Sequence, residues 1–167
     1  MTSQATRKAR SHQARNARSA ARLAAVQGLY QMDMAATDLN IVIHDLTANP
    51  INETAAGELE EEVHAPDPTF MAELLRGVVR RQREIDPMVD NQLATGWRLA
   101  RVDSILRAIL RAGVLELMER PEVPARVVIN EYVDVAKAFF DADEPKVVNG
   151  VLDKLARRLR PTEFETA

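Results

Sequence analysis

From about residue 16 onward, apolar residues recur at helical spacing along almost the whole chain, and three prolines stand directly behind helix-capping acids. That pattern excludes most folds at once. The Asp67-Pro68, Asp86-Pro87 and Asp143-Glu144-Pro145 steps each place an N-cap carboxylate before a proline that is tolerated in a first helical turn. No run alternates apolar and polar residues in the way a half-buried strand requires. The spacing predicts an all-α fold of about seven helices. The first runs from about Asn16 to Ala35, and a short one follows with Leu39, Val42, Ile43 and Leu46 on one face. Helices starting at Asp67-Pro68 and Asp86-Pro87 carry Phe70, Leu74, Leu75 and Val78, then Met88, Val89 and Leu93. A connection over 95–100 around Gly96 and Trp97 leads to a broad apolar stripe between Asp103 and Glu119. The last two helices carry Val128, Ile129, Tyr132, Val135, Ala136 and Phe139, then Val148, Val151, Leu152, Leu155 and Leu159.

These elements divide the chain into a flexible basic arm (1–15), a helical domain (16–160) and a loose tail (161–167) after the stop at Pro161. The domain is expected to consist of two packed bundles, 16–95 and 100–160. Residues 53–67, with Glu53, Glu58, Glu60, Glu61 and Glu62, read as a solvated acidic loop. Gly28, Gly77, Gly113 and Gly150 fall inside helices, where glycine costs about 1 kcal/mol against alanine. Close helix–helix approach is the expected compensation for all four.

Several chemistries are excluded by what the chain lacks. It has no cysteine, which removes thiol catalysis, disulfides, iron–sulfur clusters and cysteine-type zinc sites. His12, His44 and His64 are scattered, and the six glycines stand singly, so neither a metal site nor a phosphate cradle is expected. The expectation is a non-enzyme without cofactor or metal. No apolar run approaches the ~20 residues of a membrane span, and no signal-peptide core follows the basic start, so a cytoplasmic protein is expected.

The charge distribution points to a partner. Residues 1–22 carry six cations and no acid, leaving −9 on the rest of a chain whose net charge is −3. On a helix with ~100° per residue, Lys8, Arg15, Arg18 and Arg22 share one side. Such a row suits a nucleic-acid backbone, and four phosphate contacts predict a salt slope of about −3 for a single strand. The arm before Asn16 is expected to order on binding. Tyr30 is the nearest stacking candidate, and of the adjacent Phe139 and Phe140 one should be partly exposed.

Ordered motifs then carry a family resemblance. Arg18, Arg22, Ala25-Val26-Gln27 and Leu29-Tyr30-Gln31 open the series. Trp97-x-Leu99-x-Arg101, Arg107-Ala108-Ile109-Leu110-Arg111, Glu116-Leu117, Val123-Pro124, Ile129-Asn130-Glu131, Ala136-Lys137 and Val148-Asn149-Gly150-Val151-Leu152-Asp153-Lys154 follow. Over about residues 15–160 the chain resembles the NusB family of bacterial transcription antitermination factors. The resemblance implies two helical subdomains and binding to single-stranded boxA RNA. It also implies the ribosomal protein NusE as partner and a place in the RNA polymerase antitermination complex. It leaves monomer and homodimer both open. Carried over by position, the RNA surface comprises Arg18, Arg22, Gln27, Tyr30, Phe139, Asp143 and Lys146, to which the charge row adds Lys8 and Arg15.

This sequence departs from the family pattern at Ser19 and Ala20 beside Arg18, at Val147 where an aromatic can occur, and at Leu106 where some relatives carry an acid. Asp143 is expected to act as an N-cap and Asn149 to bond backbone between the subdomains. Arg101 and Arg111 are expected to form an ion network with Glu116. A related fold occurs in RNA cytosine methyltransferases, but their catalytic cysteine has no counterpart here. The competing reading is a helical protein-interaction module without sequence-specific RNA binding, in which the arm is only a tail.

Overall fold

The computed structural model describes residues 2–48, 65–94 and 98–165, with side chains from residue 17 onward. Six α-helices are present among the described residues, and no strand. None of these helices is long and apolar enough to cross a membrane. Helix α1 spans Thr2–Ala35, so the expected start at Asn16 falls inside it. No glycine or proline interrupts its first 26 residues, and Ala, Arg and Gln are good helix formers. It stops at Ala36, which takes a left-handed φ of 51°. Helix α2, Leu39–Ala48, follows directly; its backbone amide at Asn40 donates to Asp38 at 2.9 Å.

Helix α3, Pro68–Asp90, starts as the sequence predicts. The Asp67 carboxylate accepts from the Phe70 amide at 3.1 Å, and Pro68 occupies the first turn. The Asp67 amide also donates to the carbonyl of Ala17 at 3.0 Å, fixing the start of α3 against α1. The second start expected at Asp86-Pro87 does not occur; α3 runs through it. Pro87 lies within the last turn and lacks the amide that would bond the Arg83 carbonyl, so the continuation costs one helical hydrogen bond. The Asp86 carboxylate, which would have capped a new helix, instead accepts two bonds from Arg111 at 2.9 Å each. Two of the expected helices are thus one, and the described residues hold six, close to the expected number. Trp97 and the acidic residues 53–64 lie outside the described residues. Across the 95–97 stretch, the Leu99 amide donates to Asp90 at 2.8 Å and places a short 3-10 turn, Leu99–Arg101.

Helix α4, Ser104–Glu119, is capped by Asp103 through the Ile105 amide at 2.8 Å. It is buried on nearly every side and packs against α1, α3, α5 (Ala125–Phe139) and α6 (Glu144–Leu159). One apolar core therefore runs from Val26 and Leu75 through Ile109 and Val114 to Tyr132 and Leu152.

Residues 161–165, expected to be a loose tail, are tied back. Arg160 is buried and donates to the carbonyls of Glu116, Leu117, Arg120 and Val123 at the open end of α4. Leu117 is one of the carbonyls that the helix C-terminus leaves without an amide, the Glu116 and Arg120 carbonyls also accept the Arg120 and Val123 amides, and a cation there meets the negative end of the dipole. Pro161–Phe164 forms a 3-10 turn. From it, Glu163 accepts the Ala125 amide at 3.1 Å and so caps α5, for which Pro124 has no side chain able to do so.

Three of the four helical glycines are packing glycines. A β-carbon on Gly28 would meet Leu46 at 2.9 Å and Val42 at 3.0 Å; one on Gly77 would overlap Leu115; one on Gly113 would meet Leu152 at 2.9 Å. Gly150 is different: nothing among the described residues lies within 4 Å of that position. Its assignment to close packing is corrected accordingly. Asn149 beside it is exposed, so it does not link helices as expected. Gly150→Ala should stabilise the fold by about 1 kcal/mol, the helix propensity difference, and raise Tm by about 2–4 °C. Gly113→Ala should destabilise by about 1–3 kcal/mol through overpacking. Paired thermal and denaturant melts of the two variants check both signs.

Candidate nucleic-acid interface

The candidate residues fall into three groups once the helices are placed. Lys8 and Arg15 lie on α1, in the part whose side chains are outside the described residues. Arg18, Arg22, Gln27 and Tyr30 continue along the same helix. Phe139, Asp143 and Lys146 surround the α5–α6 connection.

Arg22 is not a surface residue. Its side chain is 2% exposed and faces Glu116, which is fully buried. Nε donates to Glu116 at 2.9 Å and Nη2 at 2.7 Å, a two-pronged arginine–carboxylate pair. Glu131 adds a second carboxylate 3.6 Å from Nη1 and accepts from the Ser19 hydroxyl at 2.9 Å. Burial works against the guanidinium's charge, but the Glu116 hydrogen bond and charge outweigh it and leave its pKa raised. Tyr132 sits fully buried beside the pair; burial first, and the Glu116 carboxylate second, push its pKa well above 10.0. These contacts withdraw Arg22 from the phosphate-binding row. Arg111 was expected to join Glu116, but pairs with Asp86 and stands 3.7 Å from Asp33, while Arg107 binds Asp33 at 2.7 Å. Arg101 is exposed.

Arg18, one turn earlier, is half-buried; it makes no close ion pair among the described residues, and its charge acts at longer range on Glu122. Its guanidinium lies 4.8 Å above the Phe70 ring, which Arg22 and Arg120 also approach at 5.2 and 5.1 Å. Arg120 is ion-paired with Glu73 and lies 3.4 Å from Glu122; Arg18 has no carboxylate partner among the described residues. A cation over an aromatic face is held in orientation by the ring quadrupole while its outer face stays open. The sequence assigned Phe70 to the core and gave no sign of this platform, because its contacts come from residues 18, 22 and 120.

Gln27 is half-buried, and its Oε1 has no hydrogen-bond partner among the described residues. Tyr30 is 38% exposed. At the far corner Phe139 is 36% exposed while Phe140 packs against the core, the partition expected for adjacent aromatics. Asp143 and Lys146 are exposed. Asp143 occupies the N-cap position of α6, but its side chain makes no capping bond. Its carboxylate is therefore not consumed by the helix, contrary to the expected role.

Breaking the buried pair leaves an uncompensated charge, so Arg22→Ala should destabilise the protein by about 3–5 kcal/mol, measured by denaturant titration. The pH dependence has a definite sign. The folded state holds the Tyr132 proton more tightly than the unfolded chain, so this contribution is complete below the ordinary tyrosine range near 10 and is lost as pH rises above it. Tyr132→Phe should flatten the fall in stability above about pH 10.

The geometry can now be set beside known proteins. The NusB family model matches residues 19–157. A transcription antitermination protein NusB from Rhodopseudomonas palustris is 50% identical over 150 residues, covering 89% of this chain and 84% of its own. One from Mesorhizobium japonicum is 49% identical over 145 residues, covering 87% and 92%. Among solved structures, T. maritima NusB superposes with a TM-score of 0.71 at 25% identity, covering 89% of this chain and 97% of that one. A chain from a crystal structure of the antitermination factors NusB and NusE in complex with dsRNA gives 0.66 at 25% identity, covering 85% and 97%. With the family model spanning both the Arg22–Glu116 pair and the α5–α6 corner, and half the residues shared with full-length relatives, this chain belongs to the NusB family.

Proposed function

We propose that this protein is a transcription antitermination factor that binds boxA-type single-stranded RNA together with NusE, within the RNA polymerase antitermination complex in the cytoplasm. It works by binding rather than catalysis. The observation that carries the reading is the division among the arginines of α1: Arg22 is consumed inside the fold, while Arg18, at the root of the basic arm, is oriented by Phe70 and makes no close ion pair among the described residues. Lys8 and Arg15 extend the cationic row along α1, and the arm firms up on RNA. Charged contacts of this kind bind phosphate without reading sequence. Exposed Tyr30 and the Phe139–Asp143–Lys146 corner supply the stacking and hydrogen-bonding groups that unpaired bases need. The competing reading, a protein-interaction module with an idle arm, is the alternative outcome of the same test.

With Arg22 buried, three cations remain for phosphate, and the slope of log K against log salt should be about −2 rather than −3. Deleting residues 1–15 should flatten the slope and weaken all RNAs alike. Tyr30→Ala and Phe139→Ala should each weaken boxA RNA by about 5- to 150-fold, in line with ~1–3 kcal/mol per stacked base, and a scrambled RNA much less. Anisotropy titrations at several salt concentrations read all three effects. A truncated chain that keeps both affinity and slope would establish the interaction-module reading instead.

A further inference from the structure

A cleft of about 550 Å³ opens beside Arg18, between α1, the start of α3 and the α4–α5 connection. Its contents differ from those of an ordinary surface groove. Arg18 contributes a flat guanidinium braced on Phe70 with no carboxylate partner among the described residues. Val123, Pro124 and Val127 contribute an apolar wall. The carboxylates that also line it are largely engaged elsewhere. Asp67 caps α3, and Glu131 holds Ser19 and faces Arg22. Glu122 is exposed at the rim near Arg120, and its pKa is lowered by its own backbone amide first, then by Arg120 and by the charge of Arg18 across the cleft. An ionised carboxylate accepts hydrogen bonds and donates none.

An oriented cation without a close ion pair, an apolar wall and an acceptor-only rim in one cleft match the parts of a single nucleotide. The volume falls in the range of small-ligand sites. Resting on the RNA-binding reading above, we propose that this cleft is a nucleotide subsite that receives one unstacked residue of the bound RNA. Its phosphate lies on Arg18 and its base lies against Val123, Pro124 and Val127. Glu122 faces the base edge and favours a base with an exocyclic amino group over uracil, whose single ring N–H is flanked by two carbonyl oxygens that repel an acceptor-only group. The site adjoins the arm, so the phosphates leading into it would pass the arm's cations.

The test uses the full chain and a set of boxA-type RNAs, each with one abasic position. In the wild-type protein, one position should lose about 5- to 150-fold in affinity when its base is removed. Val127→Phe, which fills the cleft from a half-buried position without touching Arg18, should weaken the intact RNA by a similar factor. It should also abolish the further loss at that one abasic position and leave the penalties at other positions unchanged. Glu122→Gln, an exposed change that does not threaten folding, should erase the preference for an amino-bearing base over uracil there. Unchanged affinity in Val127→Phe, or penalties that simply add at every position, would overturn the subsite while leaving RNA binding by the protein intact. A Val127→Phe protein that loses NusE but not RNA would assign the cleft to a protein partner and overturn it as well. A wild-type chain that binds no RNA would refute the proposed function and the subsite together.

Discussion

The buried pair between Arg22 and Glu116 is the constraint around which the other helices are placed. Two charges removed from water are tolerated only when nearly all their hydrogen-bonding capacity is met. Here that requirement recruits Glu131 and, through it, Ser19, with Tyr132 and the Phe70 ring closing the surroundings. Glu116 lies on α4, Glu131 and Tyr132 on α5 and Phe70 on α3, so satisfying one guanidinium fixes α1 against all three. An apolar substitute of equal volume could pack as well, but it would not specify the rotation of α1 about its axis. That rotation decides that Arg22 faces the interior and Arg18 the surface cleft.

Helix α4 makes this possible because it is enclosed. A helix covered on all sides has no solvent to satisfy its ends, and both ends of α4 are met by side chains: Asp103 at the start and Arg160 at the finish. Arg160 in turn brings Glu163 to the start of α5. A residue just before a helix-stopping proline thus becomes the clasp for two other helices. At the opposite end, Asp33, Asp86, Arg107 and Arg111 link α1, α3 and α4 through partly exposed ion pairs. Pairs of this exposure contribute little stability each, and their effect lies in orientation.

Function follows from which polar groups the fold uses and which it leaves. Arg22, Arg111 and Arg160 are spent on the interior or its rim. Arg18, Tyr30, Phe139, Asp143 and Lys146 are left partly or fully at the surface. Under the proposed function, the basic arm supplies long-range attraction, which is sequence-blind, while the aromatic and polar positions of the domain supply groups that can distinguish bases.

The helical class, most element boundaries and the family were legible in the residues, because helical periodicity, Asp-Pro starts and turn-ending prolines are local signals that act within one or two turns. That one of Phe139 and Phe140 is exposed was legible for the same reason, since neighbouring residues on one helix cannot share a face, but periodicity puts Phe139 on the apolar side and the structure packs Phe140 instead. What stayed hidden depended on partners distant in sequence. Nothing local separates Arg18 from Arg22; only Glu116, 94 residues away, decides that one is buried and the other is not. Asp86-Pro87 carries the same start signal as Asp67-Pro68, yet Arg111 takes its carboxylate and the helix continues. Gly150 reads like Gly113 until Leu152 is found against one and open space beside the other. The sequence by itself determined where helices form and how much cationic charge the arm carries. Only the tertiary structure decided which charges and glycines are used inside, since burial and pairing depend on the meeting of surfaces that no local pattern records.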